Sequence, residues 1–137
     1  MSALAREPAI AWSVRYAVGI EVIDGQHRQM LELVNRVLEG LRAGREPDEL
    51  IEVLRELVRC TEHHFATEER LMDELGAKAT RHRAEHRRLL ESLRRFTDQL
   101  DAKALASGPR FLRQWLLKHI EAIDRPFAAF LRKRGVS

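Results

Sequence analysis

The spacing of apolar residues constrains this chain most, because they recur at alternating steps of three and four along four segments. This spacing places them on one face of an α-helix, whereas a strand requires a spacing of two. The four stripes are Ile20, Ile23, His27, Met30, Val34, Val37 and Leu41; Leu50, Leu54, Leu57, Thr61, His64, Glu68, Leu71 and Leu75; Ala79, His82, His86, Leu89, Leu93, Phe96 and Leu100; and Leu112, Trp115, His119, Ile123, Phe127 and Phe130. The sequence therefore predicts an all-α fold with four amphipathic helices.

The segments between the stripes are short and carry residues that end or start helices. Gly40 and Gly44 frame the end of the first helix, Pro47 suits the first turn of the second, and Gly76 suits its end. Ser107-Gly108-Pro109 predicts a break in helical structure, after which the fourth helix begins. Short loops join antiparallel neighbours, so we expect an up-down-up-down four-helix bundle.

The 137 residues suffice for one domain with its own core. We expect residues 1–18 to form an N-terminal arm and residues 19–137 to form the bundle. Trp12 and Tyr16 are the large apolar residues of the arm, and we expect both to pack on the bundle.

Charge and cysteine content narrow the choice of compartment and partners. Cys60 is the only cysteine, which excludes an intrachain disulfide and fits a reducing compartment. The first ten residues lack the apolar run of a signal peptide, and no stretch approaches the roughly 18 apolar residues of a membrane span. The net charge is +3, without a basic run interleaved with aromatic residues. We expect a cytoplasmic protein without a membrane or nucleic-acid partner, and a protein partner is not indicated.

Several positions at which the stripes should carry Leu or Ile hold ionisable residues instead. These residues are His27, His64, Glu68, His82, His86 and His119. Burying an unpaired carboxylate is very costly, and buried imidazoles need partners. Because polar groups from several helices face inward at similar depth, a shared metal is the simplest explanation.

The spacing within each helix supports this interpretation. Two pairs lie four residues apart and project from one helix face, His64 with Glu68 and His82 with His86. Asp124 follows His119 by five residues, whereas His63 falls beside its stripe and is expected at the surface. A lone core histidine is more often structural, but five histidines with two carboxylates on four helices favour a metal site.

These residues lie in motifs that resemble those of the haemerythrin family, in the same order. The motifs are Trp12-x3-Tyr16-x2-Gly19-x4-Asp24-Gly25-Gln26-His27, His64-Phe65-x2-Glu68-Glu69, His82-x3-His86 and His119-Ile120-x3-Asp124. The resemblance covers residues 12 to 124, and all seven of the family's metal-ligand positions hold the expected residue type.

The resemblance implies two non-haem iron ions joined by an oxo or hydroxo group. It implies that one iron is held by His82, His86 and His119, that the other is held by His27 and His64, and that Glu68 and Asp124 bridge the pair. The first iron would then have a full coordination shell, and the second would keep an open position. Family members bind molecular oxygen reversibly at that position.

The resemblance also implies an apolar pocket over the open position, lined by Trp115, Leu116 and Ile120. An apolar shell keeps water and protons away from such a site. From the residues alone, ordinary core packing at helical spacing is the alternative for all three, and the two roles are compatible.

The ligand set argues against an oxygenase. Carboxylate-rich di-iron enzymes carry paired Glu-x2-His motifs, and no histidine of this chain has a Glu three residues before it. We therefore expect an oxygen carrier, for transport, storage or delivery, and not an enzyme. Two alternatives stay open: a module that senses oxygen or redox state through a partner, and a di-iron enzyme that acts on peroxide or nitric oxide.

Three local features have more than one interpretation. His119 and Asp124 would lie about 140° apart on a regular helix, so either a π-type bulge, aided by a kink at Pro126, or a sideways reach of Asp124 must bring them together. Cys60 is either a small core residue or an oxidisable thiol. The third helix carries an arginine-rich face that is either solvated or used for docking, formed by Arg81, Arg83, Arg87, Arg88, Arg94 and Arg95.

Overall fold

A computed structural model describes residues 9–100 and 102–137 of the chain, and side chains within these ranges except at 102–107. All regular structure in these ranges is helical. The elements are a 3₁₀ turn Val14–Tyr16, α1 Glu21–Arg42, α2 Pro47–Glu74, α3 Thr80–Asp98, α4 Ala102–Lys118, a π-helical segment His119–Asp124, and α5 Arg125–Lys133. Residues 1–8 of the predicted arm lie outside the described residues.

The last three elements run on without a break and form the fourth rod of a four-helix bundle. α1 packs along α2, α2 packs along α3, and α4 packs against both α3 and α1. The apolar faces of all the rods meet in one core cluster. The predicted all-α bundle is thus confirmed. Within the described residues, no helix has the length and apolar character that crossing a membrane requires.

Two glycines near the end of α1 have different roles. Gly44 ends α1 at a positive φ of 71°, a conformation that residues with a side chain rarely adopt. Gly40 lies within α1 and is buried, because the Leu50 side chain occupies the space where a Cβ atom would stand. Gly40 therefore allows close contact between α1 and α2 and does not mark the end of α1. Pro47 lies in the first turn of α2, as predicted.

The predicted break at Ser107-Gly108-Pro109 is wrong, because α4 begins at Ala102 and continues through Pro109. Gly108 serves packing instead. A Cβ atom there would lie 2.8 Å from the Phe96 ring, so the glycine lets this ring approach the α4 backbone. Pro109 removes one hydrogen-bond donor from the helix and is buried within α4.

The π-helical segment His119–Asp124 is a bulge, which was one of the two predicted ways to bring its terminal residues together. The alternative, a sideways reach of Asp124 from a regular helix, is wrong. The N–H of Arg125 donates to the carbonyl of Ile120, five residues earlier, and Pro126 follows in the first turn of α5. The bulge also shifts the buried face by one position. Beyond His119 the predicted stripe used Ile123, Phe127 and Phe130; Phe127 is buried as predicted, but the other two are half-buried. The fully buried residues are Asp124, Ala128 and Leu131.

The described part of the N-terminal arm is fixed to the bundle by polar contacts with backbone groups. The amide of Asn35 exchanges two hydrogen bonds with the backbone of Ile10, at 2.7 and 2.8 Å. The Asp24 carboxylate accepts from the N–H groups of Val18 and Gly19 at 2.8 and 3.2 Å. These bonds fix the arm to α1 at two levels, near its start through Asp24 and beyond its middle through Asn35.

The arm also contacts the last helix. Arg125 donates to the carbonyls of Arg15 and Ala17, and Arg132 donates to the carbonyl of Val18. Tyr16 is buried and Trp12 is half-buried against the core, which confirms that both aromatic residues pack on the bundle.

The two glycines within α1 should respond oppositely to alanine. Gly25 is exposed and no atom lies within 4 Å of the place where a Cβ atom would stand, so Gly25→Ala should raise the free energy of unfolding by about 0.5–1 kcal/mol through helix propensity. Gly40→Ala must displace the buried Leu50 and should lower the free energy of unfolding by roughly 1–3 kcal/mol. Urea unfolding of both variants measures the difference. Equal stabilisation by both substitutions would contradict the tight contact at Gly40.

Candidate metal centre

The structure brings all seven predicted ligand residues together in the middle of the bundle. Six of their side chains are at most 2% exposed, and the seventh, His82, is 13% exposed. Their donor atoms form two groups, in each of which all atoms lie within 4.8 Å of one another. The groups are His27, His64, His119 and Asp124, and Glu68, His82, His86 and Asp124.

The first group is built around one carboxylate oxygen. Oδ2 of Asp124 lies 2.6 Å from Nε2 of His27, 2.8 Å from Nε2 of His64 and 2.6 Å from Nε2 of His119. The ring nitrogen of His64 lies 3.2 Å from that of His27 and 3.0 Å from that of His119. Three imidazoles from α1, α2 and the π segment therefore converge on a single point. The widened turn is what brings Asp124 to the same point as His119.

The second group is built around Glu68 of α2. Its Oε1 lies 2.9 Å from Nε2 of His86 and 3.7 Å from Nε2 of His82, both on α3. Glu68 Oε1 is also 3.6 Å from Nε2 of His64, and Oδ1 of Asp124 is 3.7 Å from Nε2 of His82. Both carboxylates therefore lie between the two groups.

His119 differs from the expectation in its grouping. The family resemblance assigns it to the same iron as His82 and His86, whereas its Nε2 lies with those of His27 and His64. His119 and Asp124 are the two end residues of the π segment, and Nε2 of His119 lies 2.6 Å from Oδ2 of Asp124.

Burial and mutual contact shift the pKa values of the centre. Burial lowers the pKa of His27, lowers that of His64 to about 4, and, together with the neighbouring His82, lowers that of His86 to about 3. These imidazoles are therefore neutral at pH 7, which is the form that binds metals.

The two carboxylates shift in opposite directions. Burial, and then the charge of Asp124, raises the pKa of Glu68 well above its usual range. Burial also acts to raise the pKa of Asp124, but the charge of His119 and the hydrogen bonds from His119, His27 and His64 outweigh it and hold that pKa well below its usual range. Asp124 is thus the permanent anion among the imidazoles.

The donor set fits a pair of cations. Nε2 of His82, Oε2 of Glu68 and Oδ1 of Asp124 are buried atoms without a hydrogen-bond partner among the described residues. Buried polar atoms without a partner are costly. Imidazole nitrogens and carboxylate oxygens are the ligands that iron and zinc prefer. A pair of metal ions would engage these unpartnered atoms.

Two residues outside the ligand set orient its histidines. Oε1 of Gln26 lies 2.7 Å from Nδ1 of His64, and the amide of Gln26 donates to Oγ1 of Thr67 at 3.0 Å. Oε2 of Glu69 lies 3.3 Å from Nδ1 of His86. Such partners fix the tautomer and ring orientation of a metal-binding histidine. The only sequence signal for Gln26 and Glu69 is that each lies directly beside a predicted ligand. This signal is weak, because His63 also lies beside a predicted ligand and is exposed.

Aromatic rings enclose the histidines. Phe65 stacks on His86 with ring centroids 4.0 Å apart, and Phe127 meets His82 edge-on at 4.8 Å. Trp115 lies nearly parallel to His119 at 6.2 Å, and its indole N–H donates to the carbonyl of Leu89 at 3.0 Å. The two other predicted pocket residues, Leu116 and Ile120, are fully buried beside them on the same rod.

The structure also shows the surroundings of Cys60 and of the arginine-rich face of α3. Cys60 is half-buried against the core, and burial, then the charge of Glu56, raises the pKa of its thiol, which disfavours the reactive thiolate.

Four arginines of α3 form ion pairs with carboxylates on the surface. These pairs are Arg83 with Asp73 and Glu69, Arg88 with Glu85, Arg94 with Glu62, and Arg95 with Glu91.

Comparison with known proteins agrees with this geometry. Residues 18–131 match the family model described as "Hemerythrin HHE cation binding domain". A bacteriohemerythrin of Pseudomonas paraeruginosa is 34% identical over 128 residues, which cover 90% of this chain and 82% of the relative. A bacteriohemerythrin of Clostridium acetobutylicum is 27% identical, with 85% of this chain and 96% of the relative covered. A myohemerythrin of Riftia pachyptila is also 27% identical, with 82% and 86% covered. The chain therefore belongs to the haemerythrin family.

Proposed function

We propose that the chain binds molecular oxygen reversibly at a non-haem di-iron centre and acts as an oxygen carrier inside the cell. One observation carries this proposal: five imidazoles and two carboxylates from four rods meet at the centre of the bundle, with buried donor atoms that have no protein partner among the described residues. Membership of the haemerythrin family supports the same metal and the same ligand.

Within this proposal, the seven residues that hold the iron pair are His27, His64, Glu68, His82, His86, His119 and Asp124. Asp124 belongs to both donor groups, and Glu68 approaches histidines of both groups, which supports a bridging role for the two carboxylates. Two carboxylates give a bridged iron pair little anionic charge to stabilise highly oxidised iron, which favours a carrier over an enzyme.

When bound, a reduced iron pair supplies the electrons that reversible oxygen binding needs. The protein's own part is to hold the ligands in place and to exclude water. Gln26 and Glu69 keep Nε2 of His64 and of His86 pointed inward by engaging Nδ1 of each ring. Trp115, Leu116 and Ile120 form the apolar wall that we propose as the oxygen pocket, and all three are at most 4% exposed.

The chain should hold two irons, and this content should depend on His64 but not on its neighbour. His64→Ala removes a buried donor, whereas His63→Ala removes an exposed imidazole, so the pair forms a matched control. Elemental analysis of protein from iron-supplied cells should give about two irons per chain for the parent and His63→Ala, and clearly fewer for His64→Ala. One metal per chain in the parent, or zinc in every preparation, would rule out a di-iron centre.

Metal removal should expose the pH dependence of the buried imidazoles. Their folded-state pKa values lie below the unfolded value of 6.5, so the unfolded chain binds more protons between pH 6.5 and about 4. The metal-free protein should lose about 1.4 kcal/mol of stability per pH unit for each such histidine as the pH falls through this range. Glu68, whose pKa is raised, offsets part of this loss above its unfolded value of 4.5.

Urea unfolding at several pH values measures this slope. His64→Asn should reduce it, while His63→Asn should leave it unchanged. We also expect the metal-free protein to melt well below the iron-loaded protein, because metal binding to preformed ligands contributes folding energy. Equal melting temperatures would mean that the histidines do not share a buried metal.

Leu116 should protect the oxygenated form rather than assemble the centre. Leu116→Ala opens the wall beside His119 and should speed autoxidation while iron content stays near two per chain. The control is Leu54→Ala, a truncation of an equally buried leucine about 15 Å along α2 from His64. Both should cost roughly 2–5 kcal/mol of stability. If autoxidation, followed by optical spectroscopy, changes equally in both variants, Leu116 serves only packing.

A further inference from the structure

One edge of the centre reaches the molecular surface. His82 has a side chain that is 13% exposed, whereas the other six donor residues are at most 2% exposed. The exposed edge of His82 lies in an open groove between α3 and the fourth rod, with a volume of about 530 Å³. The groove therefore leads from solvent to the most exposed of the seven donor residues.

The groove has a positive rim. Its lining includes the cationic residues Arg81, Arg88 and Lys118 and one carboxylate, Glu85. Glu85 is paired with Arg88 at 3.1 Å. Arg81 and Lys118 have no ion pair with any residue that the structure describes, so their charges face the groove uncompensated. A second basic groove, which includes Arg59, does not contact the centre.

We propose that this groove is the electron-entry site of the protein, at which an acidic surface of a one-electron donor protein docks over His82. The inference rests on the proposed di-iron centre. Electron transfer through protein weakens steeply with distance, and the exposed edge of a donor residue is the shortest path inward. Uncompensated cations at the rim attract an acidic partner and orient it.

The site would return oxidised protein to the form that binds oxygen. Each donor molecule loses one electron, and two donors in succession convert a diferric pair to a diferrous pair. No bond to the protein forms or breaks, and water supplies any proton that charge balance requires.

Two small donors of opposite charge test the electrostatics. The radicals of methyl viologen and of propyl viologen sulfonate have similar potentials, but the first is a cation and the second an anion. Stopped-flow reduction of the diferric protein should be faster with the anion at low ionic strength, and added salt should narrow the difference. Equal rates at low salt would contradict a positive entry site.

Charge-neutral variants locate the site. Arg81→Gln/Lys118→Gln should slow reduction by the anionic radical by about tenfold at low salt and speed reduction by the cation. Arg42→Gln/Arg59→Gln removes the same net charge from exposed positions outside the groove and should change the ratio of the two rates by less than about twofold. An equal response of both double variants would show a general charge effect and overturn the proposal.

A steric variant and a protein donor test docking itself. Ala122 is exposed in the groove, so Ala122→Phe should slow both radicals by filling the space in front of His82. A reduced plant-type ferredoxin, an acidic one-electron donor, should show saturable reduction that Arg81→Gln/Lys118→Gln weakens. If the radicals respond to the variants but ferredoxin does not, the groove admits small donors and the protein-docking proposal is wrong.

A measurement on the protein as purified separates this inference from the di-iron proposal, because it requires no particular metal. An anionic gadolinium chelate should broaden backbone NMR signals of residues 79–88 and 118–123 more than a neutral gadolinium chelate does. Arg81→Gln/Lys118→Gln should abolish that excess. Uniform broadening would overturn the groove proposal even if the protein holds two irons. Localised broadening in a protein without iron would confirm the positive groove but contradict the di-iron centre, and with it the role of the groove in electron entry.

Discussion

Burial of seven ionisable side chains at one depth is the constraint on which the rest of this structure depends. A bundle of this size is stabilised mainly by apolar contacts, yet its middle layer holds five imidazoles and two carboxylates that solvent hardly reaches. Depressed imidazole pKa values and a permanently charged Asp124 show how these groups adapt to one another. The aromatic rings, the amide of Gln26 and the carboxylate of Glu69 all act on this layer, so packing and chemistry share the same residues.

The predicted parts of the structure were those that depend on spacing within one helix. Four residues make about one helical turn, so two pairs each share one helix face, His64 with Glu68 and His82 with His86. Each pair shares its face however the helices are arranged. The same arithmetic revealed the mismatch between His119 and Asp124 and left two ways to resolve it, of which the structure has the bulge. The resemblance to haemerythrin motifs then predicted that residues of all four helices form one metal site.

The features that sequence reasoning missed depend on contacts between helices. Gln26 reaches His64 only because α1 and α2 have a particular relative rotation, and the sequence does not display that rotation. Gly108 resembles a helix breaker in a linear reading, but its role is to accommodate the Phe96 ring from another helix.

The π segment has a consequence for chain length. One such turn accommodates about one residue more than regular α-helix over the same rise. From Leu116 to Ala128 a regular helix would rotate by twelve steps of about 100° and leave the two about 120° apart, whereas both are fully buried on the core side. Deleting one residue between His119 and Asp124 would let the segment become regular α-helix, and the eleven steps that remain between Leu116 and Ala128 would leave these two residues about 20° apart. The extra residue and the widened turn therefore compensate each other, so the helical rod should tolerate a single-residue deletion within the π segment better than one in the regular helix on either side.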